Sequence, residues 1–283
     1  MKLRSDAYDW DFESLLDYGN VTPTIQFRMI PENSTVMDVG CASGKMGNVL
    51  RERKNCTLWG MEYNPFSIEK AEATGAYQKI FRTDLNQFDS ETYAQLDSMF
   101  DVILFGDVLE HLVEPLEVLE KFKRFLKPDG YFVISLPNVS HISIKIDLLN
   151  NEFTYTPTGL LDCTHLRFFT HKTFPSFFGN LGLKILEATG TVIPPKWKKF
   201  DRLPLSCRRL LLRDIHSWVF QYVLKVGISE DDVNVLEEHN RQKMAFTKNS
   251  LPSDIYFFND RTHYYVNVYF PSLRKFFFEE VEI

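Results

Sequence analysis

Hydrophobic and polar positions along residues 34–138 predict a repeating strand–helix pattern. Short apolar runs, each ending in a polar or acidic residue, alternate with segments whose apolar positions recur about every 3.6 residues. The predicted strands are TVMDVG, CTLWGME, YQKIFRTD, FDVILFGD and YFVISLPN. Because these strands lack polar alternation, they are typical of strands covered on both faces. The pattern therefore predicts an α/β fold with a doubly wound, mostly parallel sheet.

The predicted helices lie between these strands. They are GKMGNVLRERKN, NPFSIEKAEAT, the short DSETYAQL and EPLEVLEKFKRFLK, which the KPDG sequence is expected to end. Pro65 stands in the first turn of the second helix, where its missing N–H is not needed.

The pattern changes after residue 138. A long, aromatic, loop-like stretch leads to a helix at HKTFPSFFGNLGL and a strand at KILEATG. Residues 191–260 are expected to be a helical insertion or cap, and residues 261–283 to be the closing antiparallel strands of a seven-stranded sheet. Residues 31–190 would then be the main domain. Residues 1–30 would be a helical lid segment whose YDWDF stretch covers the ligand.

Composition narrows the classes of function. The net charge of −6 does not favour a protein that coats nucleic acid by charge. The four cysteines form no C-x-x-C pair and there is no close His/Cys cluster, so we expect reduced thiols and no metal site. The first residues are too acidic for a signal peptide, and no apolar run approaches the roughly 20 residues that span a bilayer. These features favour a cytoplasmic protein.

The predicted strands end in polar residues at the edge of the sheet where ligands bind in such folds. These residues are Asp38, Glu62, Asp84, Asp107 and Asn138. After the first strand, GCASGKMG places glycines at a turn that leads into a helix. Three interpretations compete: a nicotinamide dinucleotide, S-adenosylmethionine (SAM), or glycines that merely close a turn.

The residues weigh against two of these interpretations. A short-chain dehydrogenase pairs such a loop with Tyr-x-x-x-Lys, but no tyrosine here has a lysine four positions on. Asp38, two residues before Gly40, also suits a pyrophosphate poorly. A purely structural turn leaves the acids at successive strand ends unexplained. SAM carries cationic groups and a ribose diol but no phosphate, so acids suit it; Glu62, 22 residues beyond Gly40, stands where a ribose ligand is expected.

Five ordered motifs resemble those of class I SAM-dependent methyltransferases over roughly residues 30–190: VMDVGCASGKMG, GMEYNP, RTDL, FDVILFGDVLEHL and LKPDGYFVISLPN. The resemblance implies a Rossmann-like sheet that binds SAM and releases S-adenosylhomocysteine. The cofactor residues that it implies are Asp38, Gly40, Gly44, Glu62, Asp84, Leu85 and Asp107. Asp38 and the glycines would shape the methionine side, Glu62 would bind the ribose and Asp84 the adenine. Asp107 would line the mouth where cofactor and acceptor meet. Ala42 departs from the glycine that many members have there.

The stretch D-x-T-H-L-R-F-F-T after the fifth strand resembles a narrower subset of these enzymes. Members of this subset act in glycan, lipid or natural-product tailoring, and some resemble ubiquinone-type O-methyltransferases. The resemblance implies methyl transfer to an oxygen of a small-molecule or sugar acceptor. N- or C-methylation, or SAM binding without turnover, stay open as alternatives.

An alcohol acceptor needs a proton removed, and histidine is the usual base. The candidate catalytic residues are His165, His111 and Asp107. Asp162 could orient His165 and Arg167 could hold an anionic acceptor, while His141 is a weaker candidate. The basic residues of segment 196–213 could contact a membrane surface or an anionic acceptor.

Overall fold

The structure is a computed structural model that describes residues 21–193, 197–245, 255–259, 263–270 and 275–282. The main sheet in this part of the chain has seven strands: β1 (Thr35–Val39), β2 (Thr57–Glu62), β3 (Tyr77–Arg82), β4 (Phe100–Gly106), β5 (Leu126–Pro137), β6 (Leu183–Val192) and β7 (Val219–Ile228). The described α-helices are α1 (Thr22–Met29), α2 (Lys45–Lys54), α3 (Pro65–Ala73), α4 (Pro115–Lys123), α5 (Ile142–Leu149), α6 (Phe174–Gly179), α7 (Trp197–Phe200), α8 (Leu205–Arg213) and α9 (Val233–Met244).

The strand order across the sheet is β3-β2-β1-β4-β5-β7-β6. The first five strands run parallel, and β7 is antiparallel to both β5 and β6. This arrangement confirms the prediction of a doubly wound, mostly parallel seven-stranded sheet. Because β1 lies between β2 and β4, their carboxyl ends meet at the centre of one edge, where such sheets bind ligands.

The closing strand of the sheet differs from the prediction. Residues 191–260 were expected to be helical, yet β7 lies within them and is inserted between β5 and β6. The sequence VFQYVLKVGI is rich in β-branched and aromatic residues, which favour a buried strand over a helix. The described residues of the range 261–283 do not join the main sheet. The strands β8 (Ile255–Asn259), β9 (His263–Phe270) and β10 (Lys275–Glu282) form a separate antiparallel sheet of three strands.

Two helices also differ from expectation. The helix α4 ends at Lys123 rather than running to residue 127, because the carbonyl of Phe125 accepts hydrogen bonds from the N–H groups of Met99 and Phe100. The stretch after residue 138 is not entirely loop, since it contains α5, which begins after His141. The His141 side chain accepts a hydrogen bond from the Ser143 N–H at the start of this helix.

The segment before β1 contributes to the domain interior. Within α1, Thr22 and Gln26 are buried, and Gln26 reaches Ser135 on β5. The part of the predicted lid that the structure describes is therefore a packed helix. The YDWDF stretch lies outside the described residues.

The core lies on both faces of the sheet, as its continuous apolar strands require. One face holds a large aromatic cluster in which Phe88 stacks on Phe122, and Phe105 meets Phe122 edge-on. The other face is smaller and packs Ile30 and Leu50 against the strands. This two-sided packing holds the strand ends, and the loops that leave them, in fixed positions.

Candidate functional site

The turn after β1 has a backbone conformation that depends on glycine. Gly40 has φ +73° and Gly44 has φ +79°, both in the left-handed region. A Cβ at residue 40 would lie 2.6 Å from Val108 Cγ2, and one at residue 44 would lie 2.8 Å from the Ala71 Cα. The turn therefore packs closely against the loop after β4 on one side and against α3 on the other.

Asp38 is a buried acid directly beneath this turn. Burial raises its pKa to about 6; the hydrogen bond from Tyr77 opposes this rise and the nearby Glu62 adds to it. The Tyr77 hydroxyl donates to Asp38 Oδ2 over 2.7 Å. Sequence reasoning missed Tyr77, although Gly47 inside α2 was a signal: a Cβ there would lie 2.2 Å from the Tyr77 hydroxyl.

Glu62, at the end of β2, connects the turn to α3 through backbone N–H groups. Its Oε2 accepts from the Ala42 N–H over 2.9 Å, and its Oε1 accepts from the N–H groups of Tyr63 and Asn64 over 2.8 Å each. Ala42 itself has φ +47°, so the residue in place of the usual glycine adopts the left-handed conformation. A carboxylate has about four acceptor positions, so Glu62 keeps capacity for a further donor.

Asp84 follows β3 and begins a short 3-10 helix, in which its Oδ1 accepts from the Asn86 N–H over 3.0 Å. Leu85 is half-buried against the aromatic core. The Asn86 side chain in turn accepts from the Val113 N–H over 2.9 Å, which connects this loop to the segment after β4. The structure thus places Asp84 and Leu85 at the same edge of the sheet as Asp38 and Glu62.

Asp107 follows β4 with φ +57°. Its Oδ1 accepts hydrogen bonds from the Ser135 hydroxyl and the Gln221 amide, and its N–H donates to Ser135 Oγ over 2.9 Å. The Gln26 amide donates to Ser135 over 3.0 Å, and the Thr22 hydroxyl donates to Gln221 over 2.6 Å. Burial raises the pKa of Asp107, while the Ser135 hydrogen bond and the nearby His111 lower it.

Gln221 and Thr22 were not predicted as parts of the site. They come from β7 and α1, and the two residues are 199 positions apart in sequence. The available signal for Gln221 was its place among the apolar residues of β7, since a polar residue in a buried strand needs a partner.

His111 ends a 3-10 helix after β4, and the chain brings Thr164 to it from 53 residues away. His111 Nδ1 lies 3.0 Å from Thr164 Oγ1 and 3.2 Å from the Thr164 carbonyl oxygen. The Thr164 hydroxyl donates to Asp162 Oδ1 over 2.7 Å. The expected orienting acid therefore acts through Thr164 on His111 rather than directly on His165.

His165 lies against His111, with ring centroids 4.8 Å apart at an angle of 69°. Its Nδ1 lies 3.2 Å from the Leu160 carbonyl oxygen, and its Nε2 lies 4.0 Å from Oε1 of the buried Glu110. Burial lowers the pKa of His165 and raises that of Glu110 well above its usual range. Both shifts disfavour the charged forms of these groups, and 4.0 Å between Nε2 and Oε1 is too long for a hydrogen bond.

Glu110 was not predicted as a site residue, although it lies within the quoted DVLEHL motif. Its backbone carbonyl accepts hydrogen bonds from the N–H groups of Leu166 and Arg167, over 2.7 and 3.0 Å, and so holds the loop of His165 in place. In the described part of the chain, ligating atoms of Glu110, His111 and His165 lie within 4.8 Å of one another. This grouping could hold a metal ion, which the spacing along the sequence does not indicate.

Other candidates have structural partners. His141 Nε2 lies 2.7 Å from the Ile193 carbonyl oxygen, and burial lowers the pKa of this histidine to about 4. Arg167 contacts the Val113 carbonyl and lies 3.4 Å from Glu114. In the basic segment, Lys199 pairs with Asp147 and Glu152 at 2.7 and 2.6 Å.

None of the described helices has the length and apolar character needed to cross a bilayer. A peripheral role for segment 196–213 in binding a membrane surface or an anionic acceptor stays a prediction.

The site residues fit SAM by their chemistry. The glycine turn packs so closely on Val108 that no side chain fits at Gly40, and the turn leads into α2 at the sheet edge where such folds bind ligands. The polar groups beside it are carboxylates, which suit a sulfonium, an ammonium and ribose hydroxyls. A pyrophosphate would meet unfavourable charge from Asp38 and Glu62 here.

Comparison with known proteins agrees with a SAM-binding site. Residues 16–188, more than half of the chain, match a family described as a methyltransferase domain. A ubiquinone biosynthesis O-methyltransferase of Cereibacter sphaeroides is 27% identical over 172 residues, which cover 59% of this chain and 68% of that protein. The corresponding protein of Actinobacillus pleuropneumoniae is 31% identical over 122 residues, 42% of this chain and 52% of that protein. The matches thus span between half and about two thirds of these relatives.

Solved structures share the fold. An O-methyltransferase from a trans-AT polyketide synthase of Brevibacillus brevis, in complex with S-adenosyl-L-homocysteine, aligns with a TM-score of 0.54 at 16% identity, over 86% of this chain and 84% of that one. A methyltransferase of Haloferax volcanii, in complex with the Trm112 activator, aligns with a TM-score of 0.52 at 18% identity, over 82% of this chain and all of that one.

Proposed function

Because the chain belongs to the class I SAM-dependent methyltransferases, we propose that it methylates a hydroxyl oxygen of a small-molecule or sugar acceptor. SAM supplies an electrophilic methyl group on a sulfonium that leaves as a neutral thioether. The protein's task is then to align the acceptor oxygen with the bond that breaks and to favour loss of its proton.

The observation that carries this proposal is the position of Asp107 between two groups of side chains. On one side, its neighbour Val108 packs on the glycine turn beside Asp38. On the other side, His111 lies near enough to affect its charge. A ligand in the turn and an acceptor near the histidines would meet at this residue.

On the cofactor side we assign the roles that the family pattern implies. Asp38, Gly40 and Gly44 would shape the methionine end of the site. Glu62 would accept a ribose hydroxyl with the capacity that its three backbone hydrogen bonds leave. Asp84 and Leu85 would contact the adenine, because their loop lies at the end of β3, beside β2.

On the acceptor side the two histidines and exposed aromatic residues support a hydroxyl substrate. His111 and His165 are the candidate catalytic groups beside Asp107. The loop that carries His165 also carries Phe153 and Tyr155, which contact each other and are 44% and 53% exposed. Such rings suit a flat aromatic acceptor or the apolar face of a sugar.

Two features favour oxygen over nitrogen or carbon. The relatives in hand are named O-methyltransferases. The polar groups beside Asp107 can also take up or stabilise charge when a hydroxyl loses its proton, which a neutral amine acceptor does not require.

The test separates cofactor binding from turnover. Calorimetric titration with SAM, S-adenosylhomocysteine and NADH should show micromolar binding of the first two only. Glu62→Gln should weaken that binding, whereas Glu69→Gln, an exposed glutamate on α3, should not. Incubation with methyl-labelled SAM and a panel of phenols, sugars, amines and activated carbon acids should label a hydroxyl compound. Labelled amines or carbon acids alone would overturn O-methylation, and no labelled product would favour SAM binding without turnover.

A further inference from the structure

Glu110, His111 and His165 come from two loops and converge on one point. The two loops are joined by the backbone hydrogen bonds from Leu166 and Arg167 to the Glu110 carbonyl, over 2.7 and 3.0 Å. The ligating atoms of the three side chains lie within 4.8 Å of one another. The fold thus holds two imidazoles and a carboxyl against each other inside the protein.

Each histidine has one nitrogen fixed as a donor. The single hydroxyl hydrogen of Thr164 goes to Asp162 Oδ1, so Thr164 Oγ1 can only accept from His111 Nδ1, which lies 3.0 Å away. His165 Nδ1 faces the Leu160 carbonyl, which also can only accept. In the neutral form of each ring, the proton is therefore on Nδ1 and Nε2 holds the lone pair. Ligands of a metal ion have this arrangement, with the second ring nitrogen donating to a carbonyl or another acceptor.

Glu110 adds a buried carboxyl of which one oxygen has no hydrogen-bond partner in the described part of the chain. Its side chain is 1% exposed, and among the described residues its Oε2 has no hydrogen-bond partner. Its Oε1 lies 4.0 Å from His165 Nε2, which is beyond hydrogen-bonding distance. A buried polar atom without a partner is costly, so this oxygen calls for a ligand.

We propose that Glu110, His111 and His165 bind a divalent first-row transition-metal ion, with one or more coordination positions left open for the acceptor hydroxyl. Imidazole nitrogen and carboxylate oxygen together suit Zn²⁺, Mn²⁺ or Fe²⁺, whereas Mg²⁺ prefers oxygen alone. With bonds of about 2.1 Å, two ligands of a tetrahedral ion are roughly 3.4 Å apart. The 4.0 Å between Glu110 and His165 would shorten by about half an ångström on binding.

The chemical role of the ion rests on the proposed function. An acceptor hydroxyl bound to the ion would release its proton to solvent more readily, because the cation stabilises the resulting oxyanion. A lone pair of that oxygen then forms the bond to the methyl carbon as the carbon–sulfur bond breaks, and the bonding pair stays on sulfur. The two candidate catalytic histidines would thereby act as ligands rather than as general bases.

The test uses metal uptake as its first readout. The full chain is stripped with a chelator, dialysed, and titrated with Co²⁺, whose visible absorption reports nitrogen and oxygen ligands. We expect one Co²⁺ per chain, displaced by Zn²⁺. Glu110→Gln and His165→Gln should each weaken binding more than about 100-fold. Thr164→Val, which removes the group that orients His111, should weaken it about 10- to 100-fold. Glu117→Gln, at an exposed carboxylate of the next helix, should change nothing.

SAM titration of the same variants distinguishes a lost site from a lost fold. Each variant should bind SAM within about twofold of the parent chain, which shows that its fold is intact. If a variant fails this check, His111→Gln takes its place as the test of the metal ligands. A stripped chain that takes up no Co²⁺, or a Glu110→Gln variant that binds it unchanged, would overturn the metal site. Turnover by stripped protein would overturn the metal's role and leave O-methylation standing. Metal binding without any methylated product would leave the metal site standing and overturn O-methylation.

Discussion

The proposed cofactor side and the proposed acceptor side of the site differ in how their polar groups are hydrogen-bonded. On the cofactor side, Glu62 is fixed by three backbone N–H groups and Asp38 by Tyr77, so the carboxylates are held in place before any ligand arrives. On the acceptor side, Glu110 has an oxygen without a partner, and His165 stands 4.0 Å from it. The carboxylates of the first side are fixed by the protein, whereas the second side has a buried oxygen that lacks a partner among the described residues and to which we assign a metal ion.

This difference implies that the two sides can be perturbed separately. Asp107 lies between them, since Val108 packs on the glycine turn and His111 follows on the same loop. Substitutions at Asp107 should affect turnover most, and substitutions at the turn should affect stability and SAM binding most. The experiments below test that separation, from the largest expected effect to the smallest.

Asp107→Asn should have the largest effect. It removes a charge at the meeting point while leaving an oxygen that can still accept from Ser135 and Gln221. We expect kcat to fall about 100-fold and the Kd for SAM to change by less than about tenfold. Steady-state kinetics and calorimetry on the same protein check both numbers, with the exposed Asp129→Asn as control. A parallel loss of SAM binding would show that the two sides are not separable at Asp107.

Asp38→Asn should stabilise the protein while weakening its binding of SAM. The pKa of Asp38 rises from about 3.8 to about 6 on folding, so its contribution to stability is fully present below about pH 3.8 and is lost as the pH rises through 6. At pH 8 the buried charge therefore costs the native state up to about 3 kcal/mol, a cost that asparagine does not have. Urea denaturation at pH 8 and at pH 4 checks this, since the gain should vanish at the lower pH.

Gly40→Ala should destabilise the chain by about 1–3 kcal/mol, because the new Cβ meets Val108 and the backbone has a positive φ. Gly159→Ala is the matched control, since Gly159 has φ +94° and nothing within 4 Å of an added Cβ. It should show the cost of the conformation alone. Adding Val108→Ala to Gly40→Ala should remove the clash but not the cost of the positive φ. The double variant should therefore regain only the stability by which Gly40→Ala falls below Gly159→Ala. Full recovery, or none, in urea denaturation would contradict the proposed clash.

The affinity for SAM should depend on pH through Asp38. Above about pH 7 the carboxylate is ionised and the Kd should be constant. Below about pH 6 the group is protonated, and the Kd should rise by about tenfold per pH unit. Calorimetry between pH 5 and 8 measures this, and Asp38→Asn should give a flat profile over that range. A flat profile for the parent chain would mean that the charge of Asp38 does not contribute to binding.

Tyr77→Phe should have the smallest effect, and it further tests the predicted pH dependence of SAM binding. The Tyr77 hydroxyl stabilises the ionised form of Asp38 and thereby lowers its pKa. Without it, the midpoint of the pH profile should move upward by about one unit. A downward shift would mean that Tyr77 does not act through this hydrogen bond.

The same contrast explains how much could be predicted from the sequence. The cofactor side is built from residues at the ends of consecutive strands, so Asp38, Glu62 and Asp107 follow from apolar runs and the rule for parallel sheets. The fold class follows for the same reason. The strand β7 was not predicted from the sequence because Gln221 and Lys225 interrupt its apolar run, and because its neighbours in the sheet are distant in sequence.

The acceptor side could not be assembled from sequence in the same way. His111 and His165 were candidates because of their residue type, yet the contact between their rings depends on how the loop after β5 folds back. Glu110 gave no signal of its own, since a glutamate in a short helix is usually exposed. Tyr77 similarly depends on packing, and only the glycine at position 47 hinted at its ring.

The position of β7 in the sheet has a consequence for the order in which the protein matures. The strand β6 reaches the sheet only through β7, so neither can dock before residues 219–228 have left the ribosome. Until then the nascent chain carries β5 with an open edge, and Asp107 lacks the amide of Gln221. The glycine turn after β1 and Glu62 at the end of β2 need none of these late residues. During synthesis, a chain able to hold its cofactor should therefore precede one able to use it.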